Sequence, residues 1–287
     1  MASRALVVGG TSGIGYAMAC HIAATSPSTS VVISGRTRPD NMPHANIEFQ
    51  PIEATSMRQI KSFTDRFKQL TDEKYKLNLL IMTQGIMTMV GRTETPEGID
   101  RKMALHYYGK QLLIRELMPA LKEDAKVVIV YDSWSGNMNK LNWNDLDLKT
   151  HFSLSTAANH CQVMNDIMIQ YYAAQQQAAT ARRHFIHAWP GGVNTEGLMR
   201  EMPWVLGATA KLLAPLITVT PAKCAEYLLN GINKVTPASA GDKQGRLFWS
   251  CIDNRGRVLE NKPVCTEEQM GKIADHTWKL IDAALKA

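Results

Sequence analysis

The sequence predicts an α/β fold, a single domain over residues 1–287 built on one doubly wound parallel sheet with helices on both faces. Three observations carry this. Short β-branched runs alternate with stretches whose apolar residues recur at helical spacing. The first run ends in a glycine turn that opens directly into a helical pattern. No repeat, low-complexity tract or linker breaks the alternation, which at this period points to a parallel sheet.

In chain order, "ALVVGG" (5–10) reads as a buried strand reaching a glycine turn, followed by the helical pattern "GYAMACHIAA". "VVISGR" (31–36) is a second strand and "IEFQPIEA" (47–54) a third, before the helix "MRQIKSFTDRFKQL". "LNLLIMTQG" (77–85) is the fourth strand, and "IDRKMALHYYGKQLLIRELMPAL" the next helix. "KVVIVYDS" (126–133) and "HFIHAWPGG" (184–192) are the fifth and sixth, with the helix "TAANHCQVMNDIMIQYYAAQ" between them and "RLFWSC" (246–251) as a late strand. Residues 196–220 depart from the alternation. Their apolar run "EGLMREMPWVLGATAKLLAPLI" (196–217) reads as a lid over an apolar substrate, or as packing helices or a dimer surface.

Hydrophobic residues make up 45% and charged ones 20%, the balance of a globular chain with a full core. The net charge is +6, but no Lys/Arg-rich run appears. A basic surface suited to an anionic cofactor is therefore expected, and nucleic acid is not an expected partner. Five cysteines with no C-x-x-C spacing argue against a zinc site or a disulfide framework, so no metal is expected. No stretch approaches the ~18 apolar residues of a membrane span, and a reducing, cytoplasmic setting is the expectation.

"VVGGTSGIGYAMA" sets Gly9, Gly13 and Gly15 between the first strand and the first helix. Glycine is needed where backbone turns sharply and approaches a pyrophosphate, and the helix end beyond supplies free N–H groups and positive dipole. The second strand ends "SGRTR", with Arg36 and Arg38 and no carboxylate. An acidic residue there would hold ribose hydroxyls; a guanidinium fork favours a 2′-phosphate, hence NADP(H).

These residues resemble the short-chain dehydrogenase/reductase family, whose fingerprint is T-G-x-x-x-G-x-G; Val8 takes the threonine position. "TQGI" (83–86) stands where that family has N-A-G, and "TPEGID" (95–100) is similar to its T-x-E-G-h-D run. "SWSG" (133–136) resembles its catalytic-serine stretch, and "PGGVNT" (190–195) its P-G-x-x-x-T segment. The resemblance implies a Rossmann-like sheet and extends the cofactor set to Thr11, Ser12, Ile14, Glu53, Gly85, Pro190, Gly191, Val193 and Thr195, the last toward the nicotinamide carboxamide. It also implies pairing into a homodimer or homotetramer through the helices containing "GKQLLIREL" and "AANHCQVMN".

The resemblance implies a catalytic serine, tyrosine, lysine and asparagine, of which Ser133 alone survives. Phe152 holds the tyrosine position, Thr156 the lysine position and His106 the asparagine position. A lost general acid costs about 10²–10⁴ in rate, while approximation is worth up to ~7–11 kcal/mol. His106 is the leading substitute donor, with Tyr131, Asp132, His151 and His160 behind it. Met87, Met89, Trp134, Met138, Trp189, Met199, Met202 and Trp204 follow the strand ends and suit a hydrophobic substrate. The expectation is an NADP(H)-dependent reductase for a hydrophobic carbonyl, imine, iminium or conjugated substrate in specialised metabolism. A redox-neutral cyclase or isomerase, pericyclases included, on the same scaffold and an NADPH-binding protein without catalysis are the alternatives.

Overall fold

The computed structural model describes residues 3–70, 72–176, 182–195, 218–235 and 248–287. Its strands are β1 (Ser3–Val8), β2 (Thr29–Gly35), β3 (Ile47–Pro51), β4 (Leu77–Met82), β5 (Leu121–Val130), β6 (His184–Ala188) and β7 (Trp249–Ile252). They form one parallel sheet in the spatial order β3-β2-β1-β4-β5-β6-β7. The order reverses between β1 and β4, which is where such sheets open a ligand crevice beyond their carboxyl ends. All seven expected strands are present, but six stop short of the predicted ends. "TQG", "DS" and "WPGG" are β-prone in sequence, yet here they are the loops that leave the sheet.

One face of the sheet packs against α1 (Gly13–Thr25) and α5 (Pro221–Lys234), through Val7, Ile33 and Ile186 on the strands and Met18 and Leu228 on the helices. The other face carries α2 (Met57–Lys68), α3 (101–117), α4 (Leu154–Gln175) and α6 (Glu267–Lys286). Met57, Ile60, Phe63 and Phe67 give α2 its buried stripe. Its N-terminus is held by Glu97, whose buried carboxylate accepts from the Ser56 hydroxyl and from the N–H groups of Met57 and Arg58. Asp100 does the same for α3, accepting from Lys102 and Met103. The "TPEGID" run thus supplies two anions to two helix starts, where the dipole favours negative charge.

Helix α3 consists of Arg101–Met103, a π turn at Ala104–Tyr108 and Gly109–Leu117. Such turns are rare and gather at functional sites. This one carries His106, whose Nε2 accepts from the Ile86 N–H at 2.9 Å.

The sequence pattern had not singled out α5 or α6, although Thr266 and Gln269 form a capping box at the start of α6. Helix α6 docks across α3 and α4. Tyr107 Oη meets Thr277 Oγ1 at 2.6 Å, Tyr108 Oη meets His276 Nε2 at 2.9 Å, and Arg115 pairs with Asp282 while its guanidinium covers Trp278. The helices expected to pair two copies are therefore already engaged by the chain's own C-terminal helix. No described helix is long and apolar enough to cross a membrane. Of the lid expected over 196–220, residues 196–217 lie outside the described residues.

Two expectations follow. Ile281, fully buried on α6, gives Ile281→Ala a loss of about 3 kcal/mol in urea unfolding, as for other large-to-small core changes. A loss under about 1 kcal/mol would mean that α6 does not belong to the cooperative core. The second concerns pH. Burial pulls His106 down from 6.5 to about 3 and His184, paired with the Ser250 hydroxyl, to about 4. Both stay neutral in the fold, so below pH 6.5 the unfolded chain takes up protons that the folded chain refuses. Stability is complete above that pH and falls as pH drops, by about 2 kcal/mol per histidine at pH 5. Denaturation midpoints measured from pH 8 to pH 5 test this; a flat profile would contradict it.

Candidate functional site

The site is built from the carboxyl end of β1 outward. Gly9 takes φ +80°, and its N–H and that of Gly10 donate to Ser34 O at the end of β2. Thr83, just past β4, donates its hydroxyl to the carbonyls of Val8 and Gly9. A Cβ on Gly9 would lie 2.5 Å from Gln84 N, and one on Gly15 would strike the Thr83 hydroxyl and the Gly9 carbonyl. These two glycines let the loop close on β4. Gly13 differs: at φ +54° its vacant side meets only the Thr195 methyl, at 3.3 Å. Ser12 is the exposed N-cap of α1 and its side chain makes no capping bond, nor does the first turn hold an acidic residue. The N–H groups of that turn thus face outward beside Gly13, as an anion site requires.

Thr11 packs on Gly35, where a Cβ would come within 2.6 Å of its hydroxyl. Arg36 and Arg38 follow β2, both exposed and with no ion pair among the described residues. Ile14 packs into the α1 layer. Glu53 is half-buried and accepts from the N–H and hydroxyl of Thr55. Gly85 is exposed, and a Cβ there would lie 3.2 Å from His106 Nε2. Pro190 leads into Gly191 (φ +69°) and buried Val193, which bridges to Val219, and then into Thr195 above Gly13.

Gln84 escaped the sequence reading. It is buried, and neither its amide oxygen nor its amide nitrogen has a hydrogen-bond partner among the described residues. A buried amide left so costs about 1–3 kcal/mol. Its place beside Gly9 fits a ligand that would satisfy it. Together, the glycine loop, the open helix end, Gln84 and the two free guanidinium groups fit a dinucleotide.

At the vacated catalytic positions, every polar group is otherwise employed. Ser133 is fully buried and donates to Ile252 O at 3.0 Å, which turns its hydroxyl into the sheet end. Thr156 donates its N–H to the Ser153 N-cap of α4, and its hydroxyl bonds the same oxygen. Phe152 serves as the ring under Lys102 Nζ, 5.1 Å from its centroid. His106, expected as the proton donor, accepts from the Ile86 N–H through Nε2, and burial keeps the ring neutral, so its one N–H is at Nδ1. Three of the other substitute acids are equally committed. Asp132 accepts from Trp134 N, Ser135 N and Gln162, His151 bonds Asp145, and His160 joins Asn142 N–H to Leu146 O.

Tyr131 stands apart. Its half-buried ring lies 4.8 Å from the His106 ring and parallel to that of His187 at 6.4 Å, and its hydroxyl has no hydrogen bond among the described residues. Burial raises its pKa well above 10, so it is a neutral phenol. Near it, fully buried Lys110 donates to Met82 O and Val130 O, and burial lowers its pKa to about 7. Trp134 and Trp189 stack at 5.4 Å beyond the ends of β5 and β6, and Met87 and Met89 are exposed after β4. Met199, Met202 and Trp204 lie outside the described residues.

No protein-family model matches the chain. It is 34% identical over 211 residues to an oxidoreductase of Emericella nidulans and 29% identical over 208 residues to an NmrA-like family domain-containing oxidoreductase of an Aspergillus species. Those matches cover 69% and 68% of this chain, but 61% and 62% of the relatives' own lengths. It is also 30% identical over 234 residues to the polyprenol dehydrogenase of Homo sapiens, covering 76% of this chain and 68% of that one. Among solved structures, the NADPH-bound carbonyl reductase from chicken fatty liver superposes with a TM-score of 0.60 at 17% identity, over 90% of this chain and 98% of that one. An NADP-bound short-chain dehydrogenase/reductase from Burkholderia multivorans gives 0.60 at 16% identity, over 90% and 99%. With its sheet order, its glycine loop and these relatives, the chain belongs to the short-chain dehydrogenase/reductase family.

Proposed function

We propose that the chain is an NADP(H)-dependent oxidoreductase for a hydrophobic carbonyl or its alcohol, extending to imine, iminium or conjugated acceptors, and that it serves specialised metabolism. The observation that carries this is the pair of exposed guanidinium groups, Arg36 and Arg38, with no ion pair among the described residues, beside an α1 N-terminus without a side-chain cap and with no carboxylate at the end of β2. The α1 N–H groups and Gly13 would hold the diphosphate, the two arginines the 2′-phosphate, and Gln84 and Thr195 the ribose and carboxamide side. When bound, the dinucleotide supplies or accepts a hydride.

The chain's own residues then have to orient the acceptor and exclude water. Without a tyrosine–lysine pair, no charge holds the Tyr131 phenol down: burial first, then Cys161 and Asp132, push its pKa up. Tyr131 acts as a neutral hydrogen-bond donor to the substrate oxygen, its ring held between two imidazoles. Such a donor polarises a carbonyl without giving up its proton readily, so activated acceptors are favoured over simple ketones. The exposed Met87 and Met89, the stacked tryptophans and a relative named for a polyprenol support an apolar substrate. The redox-neutral reading is favoured by one observation: Ser133, Phe152, Thr156 and His106 offer no free acid. Product formed with no loss of NADPH absorbance would select it.

Arg36→Ala is expected to weaken NADPH roughly 10–100-fold, the worth of a charge-assisted contact, and to leave NADH affected less than about threefold. Titration calorimetry with both dinucleotides measures this, and equal weakening would remove the 2′-phosphate role. Tyr131→Phe is expected to lower kcat by about 10²-fold, read in steady-state assays with an apolar aldehyde; an unchanged kcat in a folded variant would take Tyr131 out of the mechanism.

A further inference from the structure

A cavity of about 660 Å³ lies between α4, the 134–138 loop and the 253–265 segment, away from the glycine loop. Its floor is a buried polar network. Asp166, on α4, accepts from His187 Nδ1 at 2.6 Å and from the Cys251 thiol at 3.3 Å through Oδ1, and from Lys262 Nζ at 2.7 Å through Oδ2. Asp166, His187 and Cys251 also place three possible metal ligands within 4.8 Å. The Lys262 ammonium already stands beside that carboxylate and balances its charge, which disfavours a second cation there. His187 Nε2 is buried with no partner among the described residues. Trp134, Met138, Val163, Leu259 and Pro263 supply apolar wall, and Gln170, Glu260 and Asn261 also line it. The rim carries a second balanced pair, Asp253 with Arg257 at 2.7 Å.

The position of this cavity ties it to the site above. Asn159, Val163, Asp166 and Gln170 continue, at spacings of three and four, the stripe of α4 that begins at Thr156. Trp134 lines the cavity and stacks on Trp189, the residue before Pro190. The cavity mouth and the loop that reaches Thr195 therefore share one aromatic contact.

The head group this floor accepts follows from donor and acceptor counts. A carboxylate offers about four lone-pair sites. Three on Asp166 are taken, which leaves one on Oδ2 beside the ammonium. A hydroxyl matches that arrangement, donating to Oδ2 while accepting from Lys262. A cationic head would face the ammonium and an anionic head the carboxylate, each without compensation. The size is that of a small-molecule site.

We infer that this cavity binds a neutral, apolar alcohol, with its hydroxyl read by the Asp166–Lys262 pair and its hydrocarbon body lying between α4 and the 253–265 segment. This goes beyond the function proposed above and does not rest on it: the hydroxyl held here is a different polar group from the oxygen that meets Tyr131. The chain as it stands tests it. Trp134 lines the cavity, so its fluorescence reports occupancy by three probes of equal chain length: 1-decanol, decanoate and decylammonium. Decanol is expected to bind at least about tenfold more tightly than either ion. Val258→Trp, at an exposed rim position that leaves the buried network intact, is expected to weaken decanol at least about tenfold. Equal affinities for the three heads, no binding of decanol, or unchanged decanol affinity in Val258→Trp would each overturn the inference. NADPH uptake by calorimetry on the same wild-type sample reports separately on the proposed function, so a failure of one reading is not mistaken for a failure of the other.

Discussion

The structure turns on the closure of the first loop against β4. The Thr83 hydroxyl reaches the carbonyls of Val8 and Gly9, and the vacant sides of Gly9 and Gly15 let backbone lie where any side chain would collide. That contact fixes the α1 N-terminus over the point where the sheet order reverses. Its outward N–H groups become an anion site only because the helix cannot drift from the strand ends. Arg36, Thr195 and Gln84 all take their meaning from that position, since each borders the same opening from a different strand.

The vacated catalytic positions show what becomes of polar groups released from chemistry. A buried hydroxyl or imidazole without a partner costs about 1–3 kcal/mol, and here each has been drawn into the architecture. Ser133 ties the β5 loop to β7, Thr156 joins the cap of α4, and His106 anchors the loop after β4. These are stabilising roles, and they leave no acid behind. Groups that lack a partner stand out against this background. Among the described residues, the Gln84 amide, the Tyr131 hydroxyl and the outer nitrogen of His187 are three such groups, beside Ser34 Oγ and His184 Nδ1, that a ligand or water would complete.

The sheet and the glycine loop were legible because both are local: strands buried on both faces read as short β-branched runs, and a glycine turn at a strand–helix junction is contiguous. Strand ends were overextended because "TQG" and "WPGG" continue a β-like composition while their backbone leaves the sheet. The surroundings of His106 were hidden for a nonlocal reason. Its acceptor role is set by an N–H twenty residues earlier, and its neutrality by burial that no spacing reveals. The Asp166 network was equally hidden, with partners 21, 85 and 96 residues away. Helix α6 had a readable capping box, yet its docking on α3 and α4 rests on scattered contacts such as Tyr107 with Thr277.

Charge separates the two halves of the crevice more sharply than shape does. On the α1 side, cations and helix N–H groups stand without protein counter-ions among the described residues, an arrangement that is stable only while exposed to water or to a bound anion. On the α4 side, two carboxylates beside the cavity are matched by cations: Asp166 by Lys262, Asp253 by Arg257. An unpaired cation recruits an anion by long-range attraction, whereas a matched pair has little field beyond its own hydrogen bonds and selects by direct donor–acceptor fit. A phosphate-rich molecule and a neutral apolar one are thus directed to different sides of the same strand ends. Tyr131, whose hydroxyl has no hydrogen bond among the described residues, packs its ring near both His106 and His187, and His187 in turn bonds Asp166.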